Sequence, residues 1–351
     1  METNGTDMYK EAQEGHIMPD AESLLDGLTS KPDSGLLRRA LELPEEDFSP
    51  FYAHANGICL REKGRYVQLR AIIEFSNCCR RQCRYCGLRA GNGEIGRFRM
   101  GKDEILETAA EAVKAGYRTV ILQSAEDPWY TARLLAEIVE GAAALGVNVT
   151  LSVGERTAEE YRLWKEAGAK RYLLKHETSD PVLYRSLHPC GTLEQRLGCL
   201  RELYKLGYEV GSGFMVGLPG QTLETIARDI MLLGELGCEM AGIGPFVPSP
   251  YTPLKDAPAG SPLLTKRAIA LTRIVYPRMA LPATTALSVI APDVRDAAYE
   301  TGADVLMKTV TPSRYRKHYE IYPSPGAGTK GIASDRRELE DIIRSLDRIP
   351  V

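Results

Sequence analysis

"QLRAIIEFSNCCRRQCRYCGLR" (residues 68–89) is a short β-rich run that opens into a loop holding four of the chain's eight cysteines within nine positions. Arg80, Arg81, Arg84 and Arg89 share that loop. The run QLRAIIEF (68–75) starts a rhythm. Further β-rich runs follow: RTVILQ (118–123), VNVTLSV (147–153), KRYLLK (170–175), EVGSGFMVG (209–217), EMAGIG (239–244), ALPATTA (280–286) and ADVLMK (303–308). Amphipathic helix patterns lie between them, at 102–115, 129–145, 193–206, 221–236 and 263–276. Eight strands alternating with helices over roughly 250 residues predict an α/β fold, a (β/α)8 TIM barrel. A doubly wound open sheet is the competing architecture, but no G-x-G-x-x-G follows the first strand. Around the barrel, assigned to 67–325, we expect a flexible lead-in (1–20), an N-terminal helical extension (21–66) and a C-terminal tail with a helix (326–351).

Barrel chemistry sits at the C-terminal ends of the strands. The sequence places polar or Gly-rich groups there. The cysteines follow the first strand and Gln123 to Asp127 the second. Thr150, Ser152 and Glu155 end the third, and Lys175-His176-Glu177 the fourth. Gly217 to Gly220 follow the fifth and Gly242 to Pro245 the sixth; Thr284-Thr285 and Met307 end the last two.

The net charge of −3 carries no basic field for nucleic acid. No apolar run reaches the ~18–20 residues that span a bilayer, so no membrane role is expected. The polar N-terminus has no signal-peptide pattern, which predicts a cytoplasmic protein with reduced thiols.

Clustered thiolates select zinc or iron–sulfur clusters. Structural zinc takes four protein ligands, and no second C-x2-C pair or H-x3-H is present to complete a set. A cuboidal 4Fe–4S cluster on three cysteines leaves one iron open for a substrate or cofactor. Cys59, Cys190, Cys199 and Cys238 are scattered singly. The bare spacing fits either Cys78 or Cys79 as the first ligand.

C-x3-C-x2-C after the first strand of a barrel is the signature of the radical S-adenosylmethionine (SAM) enzymes. Further segments carry a closer likeness: GRFRMGKDEI (96–105), ILQSAEDPWY (121–130), VTLSVGE (149–155), WKEAGAKRYLLKHET (164–178), GFMVGLPGQT (213–222), GIGPFVPSPYTPL (242–254), LPATTA (281–286) and TPSRYRKHYEIYP (311–323). With the cysteine loop they resemble the HydE family, the radical-SAM maturases of FeFe-hydrogenase, more closely than biotin synthase or methylornithine synthase. The resemblance implies one 4Fe–4S cluster on Cys79, Cys83 and Cys86, with Cys78 a packing residue. It implies SAM contacts from Tyr85, Gln123, Ser124, Glu126, Glu177, Arg196 and Met240. It implies a substrate region built from Thr150, Arg171, Thr284, Thr285, Met307, Tyr319 and Tyr322. The implied substrate is a small iron complex carrying cysteine, carbonyl and cyanide, made by a partner maturase. The implied protein partners are a reductant protein and other hydrogenase maturases.

Each residue has a plainer reading. Glu177 could pair with Arg171, Met240 and Met307 could be core, and Tyr319 and Tyr322 could be helix packing. Thr284-Thr285 could be strand formers, and His176 structural. His188 and Cys190 share a turn-like segment. The chain departs from the family pattern in three places. The 322–335 region has no accessory cysteines, Lys175 stands where Arg is common, and Lys308 and Thr309 differ from the usual residues. These departures leave two alternatives: a paralogue acting on an amino acid or another sulfur compound, and a non-catalytic iron–sulfur scaffold.

Overall fold

A computed structural model describes residues 21–323 and 331–351. The expected lead-in, residues 1–20, lies outside the described residues, as do 324–330. Three helices come first: α1 (Ala21–Ser30), α2 (Ser34–Glu42) and α3 (Ser49–Lys63). Asp33 caps α2 by accepting the Leu36 N–H at 2.8 Å. α3 stops at Gly64, whose φ of 65° is open to glycine at little cost, and the chain turns into the first strand.

The strands are β1 (Tyr66–Ser76), β2 (Thr119–Ser124), β3 (Asn148–Ser152), β4 (Ala169–Leu173), β5 (Glu209–Ser212), β6 (Met215–Val216), β7 (Met240–Ala241), β8 (Gly244–Pro245), β9 (Val305–Thr309) and β10 (Ile349–Pro350). Parallel pairing runs β1-β2-β3-β4-β5-β7. Bridges from Met240 to Ala280 and from Pro282 to Val305 carry the circuit on to β9, which pairs with β1. The ring therefore closes, as a TIM-like barrel requires. Helices between the strands, including Lys102–Lys114, Ala132–Ala144, Leu193–Lys205, Leu223–Glu235 and Pro262–Val275, form the outer layer.

Side chains of β1 alternate. Val67, Leu69, Ala71, Ile73 and Phe75 are buried in the main core. The even residues reach across the interior: Arg70 Nη1 meets the Met240 sulfur on β7 at 2.9 Å, and Glu74 meets β9. An inner face that carries Gln68, Arg70, Glu74 and Ser76 beside a single apolar Ile72, on a strand whose outer face is wholly apolar, marks the interior as a place for ligands rather than packing.

The sequence expectations differ in three places. EVGSGFMVG does not form one strand. Gly213 sits at φ 148°, and a Cβ there would lie 2.2 Å from the Gly242 carbonyl oxygen, so the run breaks into β5 and β6. EMAGIG breaks alongside it into β7 and β8, and β6 pairs with β8 as a separate ribbon. ALPATTA makes only isolated bridges, because Pro282 has no N–H for a ladder. Thr284 and Thr285 do not end a strand. Thr284 precedes the helix Thr285–Ile290, and Thr285 is exposed as its first residue. Among the described residues no helix is long and apolar enough to cross a membrane.

Candidate active site

The loop after β1 carries the thiols at the C-terminal mouth of the barrel. Cys78 and Cys79 point differently. Cys78 Sγ lies 3.7 Å from the Phe98 carbonyl oxygen, toward the segment that returns along β1. Cys79 Sγ instead accepts the Arg81 N–H at 3.4 Å and is addressed by the Glu126 N–H as well. The Leu88 N–H addresses Cys86. Backbone N–H groups aimed at sulfur favour the thiolate, as around iron–sulfur centres. Without a metal, burial pushes the Cys79 thiol up, the Cys83 thiol up to about 12 and the Cys86 thiol higher still. Thiols buried this way become thiolates when a cationic centre binds them. Among the described residues no three His, Cys, Asp or Glu side chains converge on a point that suits a single ion. A cuboidal cluster takes each thiolate on a different iron and can be held by three cysteines, whereas structural zinc takes a fourth protein ligand.

Two carboxylates and three guanidiniums fix the loop. Glu126 Oε1 accepts Arg80 Nε and Arg81 Nε, each at 2.6 Å, and its Oε2 accepts the Glu155 N–H at 3.0 Å. Glu155 in turn accepts Arg81 Nη2 at 2.8 Å and Arg196 Nε at 2.6 Å. Arg196 also donates to the Lys175 carbonyl at 2.5 Å. Glu126 and Glu155 are both buried, and neither burial is tolerable without these partners. Glu126 thus meets arginines of the cysteine loop. Arg84, by contrast, is exposed.

Tyr85 stands between two of the cysteines. Its hydroxyl lies 2.8 Å from His188 Nε2, and His188 Nδ1 lies 3.1 Å from the Tyr184 carbonyl. A carbonyl only accepts, so Nδ1 carries the proton. Burial lowers the His188 pKa to about 4, so the ring is neutral and Nε2 accepts from Tyr85. His188 is a buried fixture of the site, and its turn-like sequence context gave no sign of this.

Glu177 follows β4 with φ 67°. Its N–H donates to Gly213 and its carbonyl accepts from Met215, which holds that conformation. Its Oε2 is buried with no hydrogen bond, and Lys175 Nζ lies 3.3 Å away. Glu177 therefore does not pair with Arg171, whose partner is Glu209. His176, beside it, is fully buried with Nδ1 2.9 Å from Ser212 Oγ and Nε2 3.5 Å from Asp229.

The other candidates fall into two groups. Near the mouth, Gln123 Nε2 donates to the Tyr319 hydroxyl at 3.3 Å. Glu74, which the sequence reading missed, pairs in register with Gln123 and accepts the Thr309 and Thr311 hydroxyls at 2.6 and 3.0 Å. Burial pushes its carboxyl up, and burial likewise pushes up the hydroxyls of Tyr319 and Tyr322, which feel the Glu74 charge. Thr309 is thus an interior residue, whereas Lys308 pairs with Ala71 on the outward face of β1. Ser124 Oγ bonds the neighbouring Ala125 carbonyl at 2.7 Å. Deeper, a cavity of about 290 Å³ is lined by Arg70, Thr150, Arg171, Glu209 and Met240 among others. Met240 lies with this group, beside Met307. Burial, then the Arg171 charge, lowers the Arg70 pKa to about 10. Thr150 Oγ1 and Thr284 Oγ1 are buried without partners.

A parallel barrel with a C-x3-C-x2-C set on the loop after its first strand defines a radical SAM enzyme, and residues 73–233 match the model of the Radical SAM superfamily. Enzymes of this class use a 4Fe–4S cluster with SAM. The chain is 47% identical over 289 residues to the [FeFe] hydrogenase maturase subunit HydE of Thermotoga maritima, covering 82% of this chain and 83% of that one. It belongs to the HydE family. It is also similar to solved methylornithine synthase, with a TM-score of 0.77 and 26% identity over 93% of this chain and 97% of that one. The maturase HydG from Carboxydothermus hydrogenoformans shares the fold, with a TM-score of 0.81 and 20% identity over 94% of this chain and 79% of that one.

Proposed function

We propose that Cys79, Cys83 and Cys86 hold one 4Fe–4S cluster, and that the chain works with SAM on a cysteine-bound iron complex in FeFe-hydrogenase maturation. The observation that carries the cluster reading is the N–H groups trained on the Cys79 and Cys86 sulfurs. The kinship to a HydE protein carries the substrate. Bound there, cluster and SAM would supply a 5′-deoxyadenosyl radical by reductive cleavage of a carbon–sulfur bond.

The chain's own residues do the rest. The Glu126–Arg81–Glu155–Arg196 lattice keeps the loop in one shape, so the thiols need no rearrangement to bind. Tyr85, its hydroxyl tied to His188, presents a fixed ring face to SAM. Glu177 Oε2, lacking a hydrogen bond, is ready for the ammonium or ribose hydroxyls of SAM. Gln123, Tyr319, Tyr322 and Glu74 would line the space beyond, where enclosed polar groups would hold a small charged substrate and exclude water. Other maturases would supply and receive the iron complex.

The test is anaerobic reconstitution followed by addition of SAM and a chemical reductant. The reading expects about four irons per chain and 5′-deoxyadenosine. An intact cluster that yields none leaves only a scaffold role. Adding the cysteine-bound iron complex should then consume it and give an adenosylated iron species. The similarity to methylornithine synthase favours a second reading, a rearranged amino acid as substrate. Turnover of a free amino acid, with the iron complex untouched, would select it.

A further inference from the structure

We propose that the face formed by the cysteine loop and the helix Pro181–Leu187 is the docking surface for an acidic one-electron carrier protein. The proposal rests on Cys83 being a cluster ligand. Several observations meet there.

Residues 75–91 and 181–191 contain no Asp or Glu. They contribute Arg80, Arg81, Arg84, Arg89 and Arg185. The two segments are joined: the Arg84 N–H donates to the Leu187 carbonyl at 2.9 Å, and Arg81 Nη1 to the Cys190 carbonyl at 2.6 Å. They therefore present one continuous surface. Of the nearby carboxylates, Glu126 and Glu155 are buried and already engaged by Arg80, Arg81 and Arg196, and Asp180, half-buried at the N-cap of the helix, accepts the Val182 and Leu183 N–H groups. Arg84 and Arg185 are both exposed, and Arg185 makes only a long 3.5 Å contact to the Gly191 carbonyl.

The surface also has an apolar component. Val182 is 79% exposed. Arg185 and Ser186, three and four positions on, are exposed on the same side of the helix. A basic rim around a small apolar centre suits a transient complex with an anionic partner, steered by charge and released quickly. Between the two segments lies a shallow pocket with Cys83 in its lining, beside Arg81, His188 and Cys190. Through it a cluster ligand comes close to this face. An electron leaving a reduced carrier here would pass to the cluster, oxidising the carrier by one electron and reducing the cluster by one.

The experiment uses the cluster-loaded full chain and a small acidic iron–sulfur carrier protein. Two quantities are read: carrier binding at low and high salt, and the rate of cluster reduction seen by absorbance without SAM. Wild type should bind more weakly as salt rises. Arg84→Glu with Arg185→Glu should weaken binding and slow carrier-driven reduction about tenfold or more, and flatten the salt dependence. Reduction by dithionite should stay at the wild-type rate. Arg84→Lys with Arg185→Lys should restore binding, and Arg133→Glu, at a distant exposed site, should leave it unchanged. Unaltered carrier binding in the double reversal overturns the proposal, and so does an equal loss with dithionite. A wild-type chain that takes up no iron overturns the cluster reading beneath it. A loaded chain indifferent to the charge reversal overturns the docking surface alone.

Discussion

Glu177 is a non-glycine residue in the left-handed region, a conformation that costs about 1–3 kcal/mol and persists where surrounding bonds hold it. Gly213 and Met215 hold it here. Glu177→Gly should therefore be as stable as wild type to within about 1 kcal/mol. Its SAM affinity should fall at least tenfold. Calorimetric SAM titration beside urea unfolding separates the two effects, and lower stability with unchanged affinity would make Glu177 structural. The choice between Cys78 and Cys79 is also tested at this scale. Cys79→Ala should lose the cluster and Cys78→Ala keep it, read as iron per chain after reconstitution. The opposite pattern would shift the ligand register by one. Spacing made the thiols legible, because ligands on one loop are neighbours in sequence. His188 was illegible because its meaning comes from Tyr85, 103 positions away.

The cysteine loop as an element depends on partners from the loops that follow β2 and β3 and from the helix Leu193–Lys205. Arg196 is nearly buried, and removing it strands Glu155 as a charge bound only by Arg81. Arg196→Ala should destabilise the chain by about 3 kcal/mol, measured by denaturant unfolding of the metal-free protein. A loss below about 1 kcal/mol would mean that water replaces the guanidinium. On its other side the loop touches the segment carrying Tyr319 and Tyr322. A Cβ on Gly87 would lie 2.2 Å from the Glu320 carbonyl oxygen. Gly87→Ala should thus push that segment away and impair substrate use more than SAM binding, seen as a raised KM for the iron complex with near-normal SAM affinity. Little of this lattice was legible. Arg196 and Glu126 were singled out, but their common partner Glu155 stood out only as a polar strand end. Salt-bridge geometry between distant segments leaves no periodic mark in a sequence.

At the scale of the molecule the alternation of strands and helices was readable, because each barrel unit is local. The seventh position was overread. Pro282 permits bridges but no ladder, and pattern alone does not register a missing N–H. Acid stability also belongs to this scale. Asp127 ties Ser76 of β1 to Arg99 at 2.6 and 2.7 Å. Burial works against its charge, but the Arg99 and Ser76 hydrogen bonds and the Trp129 N–H outweigh it and hold the carboxyl below its usual value. A depressed folded value gives stability that is complete above the unfolded pKa, about 4, and lost as pH falls through the folded value. Wild type should exceed Asp127→Asn by a constant margin from pH 7 to 5, and the margin should shrink below about 4. An equal margin at pH 3 would place the stabilisation elsewhere. The closure of the ring has a consequence in time. β1 and its cysteine loop leave the ribosome about 220 residues before β9, the strand that seals them in, an interval on the order of 10–40 s at ordinary synthesis rates. Early in that interval the nascent loop lacks Glu155 and Arg196, which follow it by about 70 and 110 residues, and through all of it the loop lacks the wall that β9 completes, so its thiols face whatever oxidants or stray metals are present. The iron content of purified chains should therefore depend on iron supply and oxygen during translation as well as on later reconstitution.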